Sequence, residues 1–184
     1  GNLVALQQTN PVRLLAYSSI SQAGFIIAPL AVSGITGNYQ DGIFASVTYL
    51  IIYAFMNIGA FLSVHLFTNF TKSDNFYEWG GIAKHSPLAG VLTTIFFFSL
   101  AGIPPLGGWF AKFVVFRSLL STGEIIGISL AIVGAINAVI ALVYYARISK
   151  VIWMDELKNP EEEKSFEFQS PLKVVGAFTV LITF

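Results

Sequence analysis

The sequence contains no cysteine, two histidines and little charge: ten Lys and Arg and ten Asp and Glu, 11% of 184 residues. Each shortage excludes something. Without cysteine there are no disulfides, no thiolate zinc sites and no cysteine-held iron–sulfur clusters. Two histidines do not build a three-histidine metal site. A soluble domain carries roughly 25% charged residues, so a chain at 11% with a net charge of zero does not read as a water-soluble globule. It also lacks the basic face that neutralises phosphates, which argues against nucleic-acid partners.

What is present is apolar: 55% hydrophobic residues, 15% aromatic, and a mean hydropathy of +0.72. The apolar residues gather in stretches at about 14–34, 43–69, 88–120, 125–148 and 172–184. At about 1.5 Å per residue, a helix needs roughly 20 residues to cross the hydrocarbon core. The first, second and fourth stretches exceed that length. All are too long and too solidly apolar for outer-membrane strands, which alternate over about ten residues. The expected fold is an all-α, polytopic transmembrane helix bundle, with residues 1–184 forming part of a single transmembrane domain and the lipid bilayer as its surroundings. Gly1–Leu6 reads as the tail of a preceding helix, with no charged leader or cleavage site, and the 172–184 stretch stops short of a span. Both ends predict an internal piece of a longer chain.

The third stretch is interrupted by Gly102-Ile103-Pro104-Pro105-Leu106-Gly107-Gly108, so it is two crossings or one broken crossing. Lys and Arg decide between them, because short cytoplasmic loops carry an excess of both. With one net crossing, Arg13, Lys72, Lys84, Arg147, Lys150, Lys158, Lys164 and Lys173 fall on one side, against Arg117 on the other. Two crossings would move the positive residues from Arg147 onward and spoil the bias. One broken helix is expected, with the 70–87 loop and the charged 149–171 loop on the cytoplasmic side. Proline lacks an N–H and clashes with the preceding turn, and the flanking glycines allow non-helical angles. Freed main-chain groups at membrane depth are tolerated only inside protein or beside a wet cavity, and broken helices recur in ion transporters. Gly102, Pro104, Pro105, Gly107 and Gly108 form the expected hinge. A packing kink is the simpler alternative.

Lys112 stands eight residues beyond Pro104, within an apolar run. An ammonium near mid-bilayer costs at least about 2.5–3.5 kcal/mol, and such a lysine is suited to carrying protons. The plain alternative is snorkelling to the headgroups, which a distance of about 12 Å to the helix end strains. His65 is a second candidate for proton translocation, against a lone solvated histidine. Arg13, Tyr17, Ser18, Ser19, Tyr53 and Asn57 are candidate channel-lining residues, or plain helix-packing groups; Ser21 and Gln22 extend the polar start of the first full helix. Asn137 reads as an interhelical hydrogen-bonder. Tyr144, Tyr145 and Trp153 fit an interfacial aromatic belt beside the anchoring Arg147 and Lys150. No nucleotide fingerprint and no membrane-embedded carboxylate pair is present, so no catalytic residues, no metal site and no cofactor site are expected in this chain.

Four segments carry a resemblance. Asn2-Leu3-Val4-Ala5-Leu6-Gln7-Gln8-Thr9-Asn10 followed by Arg13-Leu14-Leu15-Ala16-Tyr17-Ser18-Ser19-Ile20 is similar to a helix start in the antiporter-like subunits of respiratory complex I. Met56-Asn57-Ile58-Gly59-Ala60-Phe61 and Ser99 to Phe113, which spans the break and Lys112, resemble the subunit N pattern, called subunit 2 in mitochondria. Tyr144-Tyr145 with Arg147 suits that family's next helix. Val12-Arg13 stands where the family has a Lys-Arg pair, which reduces a basic contact at the cytoplasmic mouth. The resemblance implies two inverted five-helix repeats, of which this piece holds most of the second, in the C-terminal half. It implies proton translocation through a buried lysine and water path, with Lys112 as the broken-helix lysine. NADH, FMN, iron–sulfur clusters and quinone would be used by other membrane and peripheral subunits, so the chain would be part of an enzyme without holding its redox site. A bacterial inner membrane is expected, an organellar energy-transducing membrane being the alternative. A free-standing Mrp-type cation/proton antiporter shares the broken helix and is the competing function.

Overall fold

The structure is a computed structural model that describes residues 1–156. The 172–184 stretch, most of the 149–171 loop, and Lys158, Lys164 and Lys173 lie outside the described residues. Among those described, all regular structure is helical: α1 Asn2–Ala5, α2 Pro11–Thr36, α3 Tyr39–Thr71, a 3₁₀ turn Phe76–Trp79, α4 Ile82–His85, α5 Pro87–Ala101, α6 Gly107–Ser121 and α7 Ile125–Met154.

Local chemistry sets the ends. Helix α2 opens on Pro11, whose missing N–H is no loss in a first turn, and Asn10 caps it by accepting from the Arg13 amide at 3.0 Å. It closes on Gly37 at φ +77°, the left-handed conformation glycine adopts freely. Pro29, inside α2, is buried. Helices α2, α3 and α7 are long and apolar enough to cross a membrane.

Helices α5 and α6 have 15 residues each, about 22 Å, too short to span alone. They make one traverse together. At one end of the bundle, the Phe76 amide donates to Thr9 O at 3.1 Å and the Gly81 amide to Val151 O at 3.2 Å. The start of α2, the end of α3, the start of α5 and the end of α7 therefore meet there. At the other end, Pro29, Val32 and Ser33 of α2, Asp41 of α3, and Ser118 and Thr122 at the end of α6 line one small crevice. The third apolar stretch is thus a single discontinuous helix.

Residues 70–87 are more than a loop. Phe76, Trp79, Ile82 and Ala83 are buried in the main core with Phe67, Phe96, Phe97 and Ile152, and Trp79 meets Phe67 edge-on at 5.4 Å. Apolar side chains in the segment fold it back over the bundle end. Helix α7 also runs to Met154, so residues 149–154, expected in the charged loop, are helical: Val151 and Ile152 bury against the cap and hold the last turn in place.

Candidate functional site

The break is built by Gly102 and Ser99. Gly102 stands at φ +92° and its amide reaches back to Phe98 O and Ser99 O, closing α5. The chain then passes Pro104 and Pro105, both exposed, and restarts at Gly107. The Gly108 amide, an orphan donor of the first turn of α6, donates to the Ser99 hydroxyl at 3.0 Å, and that hydroxyl lies 3.4 Å from the Met56 sulfur. The approach is close enough that a Cβ on Gly108 would fall inside the contact distance of the Ser99 carbonyl.

Lys112 points back at this break. It is 4% exposed, and Nζ donates to Leu100 O at 2.8 Å and Ala101 O at 2.7 Å. Both carbonyls belong to the last turn of α5, where the helix has no N–H partners of its own to offer. Nζ also lies 5.4 Å from the centroid of the Phe25 ring, within cation–π range. An ammonium has three N–H donors and a neutral amine two. The two carbonyl bonds can therefore be kept in either state, leaving the lone pair of the neutral amine free to take a proton.

A second polar chain runs behind the first. Tyr145 Oη lies 2.6 Å from Ser18 Oγ, Ser18 Oγ 3.1 Å from Tyr144 Oη, and Tyr144 Oη 3.0 Å from Asn2 Oδ1. Asn2 Nδ2 then donates to Asn137 O at 2.8 Å. Each hydroxyl has one proton to give, so these contacts form a directed line joining α1, α2 and α7. Tyr144 and Tyr145 are fully buried, not in an interfacial belt: each phenol finds a partner inside the bundle, which removes the reason for it to seek water. Trp153 is partly exposed and donates to Thr94 Oγ1 at 2.9 Å. Arg147 donates to Leu6 O at 3.0 Å.

Of the residues singled out from sequence, the structure brings Lys112 to the Gly102–Gly108 break and places Ser18 in the polar line. Ser19, the next residue of α2, accepts from the Tyr53 hydroxyl at 2.8 Å. Tyr17 is half-buried against the main core. Arg13 is exposed at the start of α2. Asn57 and His65 line a groove with Val12 on the outer side of α3, and His65 is exposed, its Nε2 2.9 Å from Asn69 Nδ2; neither touches Lys112. Sequence reasoning missed Asn2 and Tyr49. Tyr49, buried on α3, donates to Gln22 Oε1, and Gln22 Nε2 donates to Leu100 O at 3.2 Å. A cavity of about 250 Å³ between α2, α6 and α7, lined by Ser21, Gly24, Phe25, Phe116, Gly134 and Asn137 among others, reaches the ring that faces Lys112. Among the described residues, no group of three or more His, Cys, Asp or Glu is placed to hold a metal ion.

Comparison with known proteins finds a family and relatives. Residues 1–140 match the family described as NADH:quinone oxidoreductase/Mrp antiporter, transmembrane. NADH-quinone oxidoreductase subunit N of Moorella thermoacetica is 38% identical over 184 residues, covering 100% of this chain and 37% of the relative. The chloroplastic NAD(P)H-quinone oxidoreductase subunit 2 of Chaetosphaeridium globosum is 42% identical over 159 residues, covering 86% of this chain and 30% of the relative. The chain thus spans about a third of the length of these relatives. A chain in the structure of respiratory complex I from Thermus thermophilus with bound aureothin superposes with a TM-score of 0.68 at 24% identity, over 98% of this chain and 39% of that one. That likeness shows a shared fold.

Proposed function

The chain belongs to the NADH:quinone oxidoreductase/Mrp antiporter transmembrane family, and from that premise we propose that it is a proton-translocating part of the subunit N component of an NADH-quinone oxidoreductase. The observation that carries the reading is Lys112: a buried cation whose hydrogen bonds go to the carbonyl end of a broken helix. A group that keeps both bonds with or without its proton is suited to passing charge through the membrane. Quinone reduction elsewhere in the complex would shift the charge on neighbouring groups, and Lys112 would gain or lose its proton in response. The cavity beside Phe25 offers room for water.

On this reading the redox chemistry, with NADH, FMN, iron–sulfur clusters and quinone, belongs to other subunits, which are the chain's partners together with the bilayer. The end of the bundle bearing Arg13, Lys72, Lys84, Arg147 and Lys150 faces the cytoplasm of a bacterial cell. The family model also embraces Mrp antiporters, but the named relatives above are quinone oxidoreductase subunits.

The test is NADH-driven proton pumping in membranes carrying the full-length protein with Lys112→Met, once assembly of the complex is verified. Reduced pumping per electron, or collapsed turnover in an intact complex, supports the reading; wild-type pumping and turnover sink it. Sodium- or pH-linked exchange by the protein without NADH or quinone would favour an antiporter instead.

A further inference from the structure

The carbonyl of Leu100 takes donors from two different helices: Lys112 Nζ on α6 at 2.8 Å and Gln22 Nε2 on α2 at 3.2 Å. Gln22 is 2% exposed, and its Oε1 accepts from the hydroxyl of Tyr49, which is wholly buried on α3. The polarity of this line is fixed by chemistry. A main-chain carbonyl only accepts, so the amide must turn Nε2 toward Leu100, which leaves Oε1 for Tyr49 and obliges that hydroxyl to donate. Side chains of α2, α3 and α6 therefore converge, directly or through Gln22, on one main-chain oxygen of α5.

We propose that Gln22, held by Tyr49, is a positioning residue for Lys112. It fixes the Leu100 carbonyl at the break and so sets where the lysine amine is held. The inference rests on the reading of Lys112 as a proton carrier and adds a second residue to it. Leu100 has its bond from Gln22 whether or not Lys112 carries its proton. The end of α5 keeps its place, and the amine keeps the same acceptors in both states. An amide buried in an apolar bundle is costly unless both its ends are bonded; here both are.

The experiment measures NADH-driven turnover and proton pumping in the assembled complex containing the full-length chain. Gln22→Met, which fills the volume without the hydrogen bonds, is expected to slow pumping about three- to tenfold, the loss of one well-placed bond. Gln22→His keeps one donor and one acceptor and is expected to restore most of the rate. Tyr49→Phe is expected to slow it in the same direction and by less. In a Lys112→Met background, Gln22→Met is expected to add nothing to the loss.

Wild-type pumping by Gln22→Met beside a defective Lys112→Met overturns the positioning role and leaves the lysine reading standing. An equal further loss in the Lys112→Met background also overturns it, because Gln22 would then act independently. Wild-type pumping by Lys112→Met removes both. Should Gln22→Met fail to assemble, Tyr49→Phe is compared with Lys112→Met in the same way, with the same deciding outcomes.

Discussion

The Nζ of Lys112 lies 2.7 Å from the carbonyl oxygen of Ala101, the last residue of α5. A side chain from the second half of a broken helix thus completes the hydrogen bonding of the first half. The break and the lysine are one structure, and substitutions that disturb either should register in both.

Gly102 is the sharpest place to separate function from stability. Its φ of +92° suits glycine, and a Cβ there would stand 2.8 Å from Lys112 Cδ and 3.1 Å from Nζ. Gly102→Ala is expected to push the amine off its carbonyls, lowering pumping at least as far as the loss of complex yield. Pumping per assembled complex is the measurement; a wild-type value would mean that the lysine does not need this position.

Gly108→Ala addresses the junction itself. The added methyl would fall 1.8 Å from Ser99 O, a main-chain atom that cannot step aside. The variant is expected to be destabilised by at least about 1–3 kcal/mol, as in overpacked cores, and to lower the thermal midpoint of the assembled complex. Gly34→Ala, where nothing lies within 4 Å, is the control and is expected to be tolerated.

Gly59 and Phe96 test the packing of α3 on α5. A Cβ on Gly59 would meet the Phe96 ring at 2.4 Å, and that ring is buried. Gly59→Ala is expected to reduce assembly, and Gly59→Ala with Phe96→Leu to recover much of it. Failure of the second substitution to help at all would show that the two helices meet differently.

The tyrosine pair gives a thermodynamic test. Tyr145→Phe removes the 2.6 Å bond to Ser18, and Tyr144→Phe removes contacts to both Ser18 and Asn2. Each is expected to cost about 1–3 kcal/mol, because buried partners are left unsatisfied. Combined with Ser18→Ala, either effect should fall short of the sum, as members of one network do. Thermal unfolding of the three single and two double variants in detergent decides; simple additivity would dissolve the line into separate contacts.

Local signals in the sequence carry some of these features and not others. The break and Lys112 were legible because proline pairs and a lone cation in an apolar run are local signals. The lysine's partners were not: main-chain carbonyls carry no sequence signature, and Leu100 and Ala101 look like any other apolar residues. Tyr144 and Tyr145 read as interfacial from the neighbouring Arg147 and Lys150, yet Ser18 and Asn2 arrive from more than a hundred positions away to satisfy them. Residues 70–87 looked like a loop because Lys72, Asp74, Glu78 and Lys84 interrupt the apolar run. The burial of Phe76, Trp79 and Ile82 depends on α3 and α7 bringing Phe67 and Ile152 to the same end of the bundle.

That cap makes the two ends of the bundle mechanically unequal. Where Phe76 is tied to Thr9 and Gly81 to Val151, four helix termini are clasped by hydrogen bonds and buried rings, and none shifts without the others. At the opposite end, α2 meets α3 through Gly37 and α6 meets α7 through Gly123, two positive-φ glycines with open space around them. The two ends are therefore joined in different ways: one is tied across helices that are far apart in the chain, the other from each helix to the next through a glycine turn.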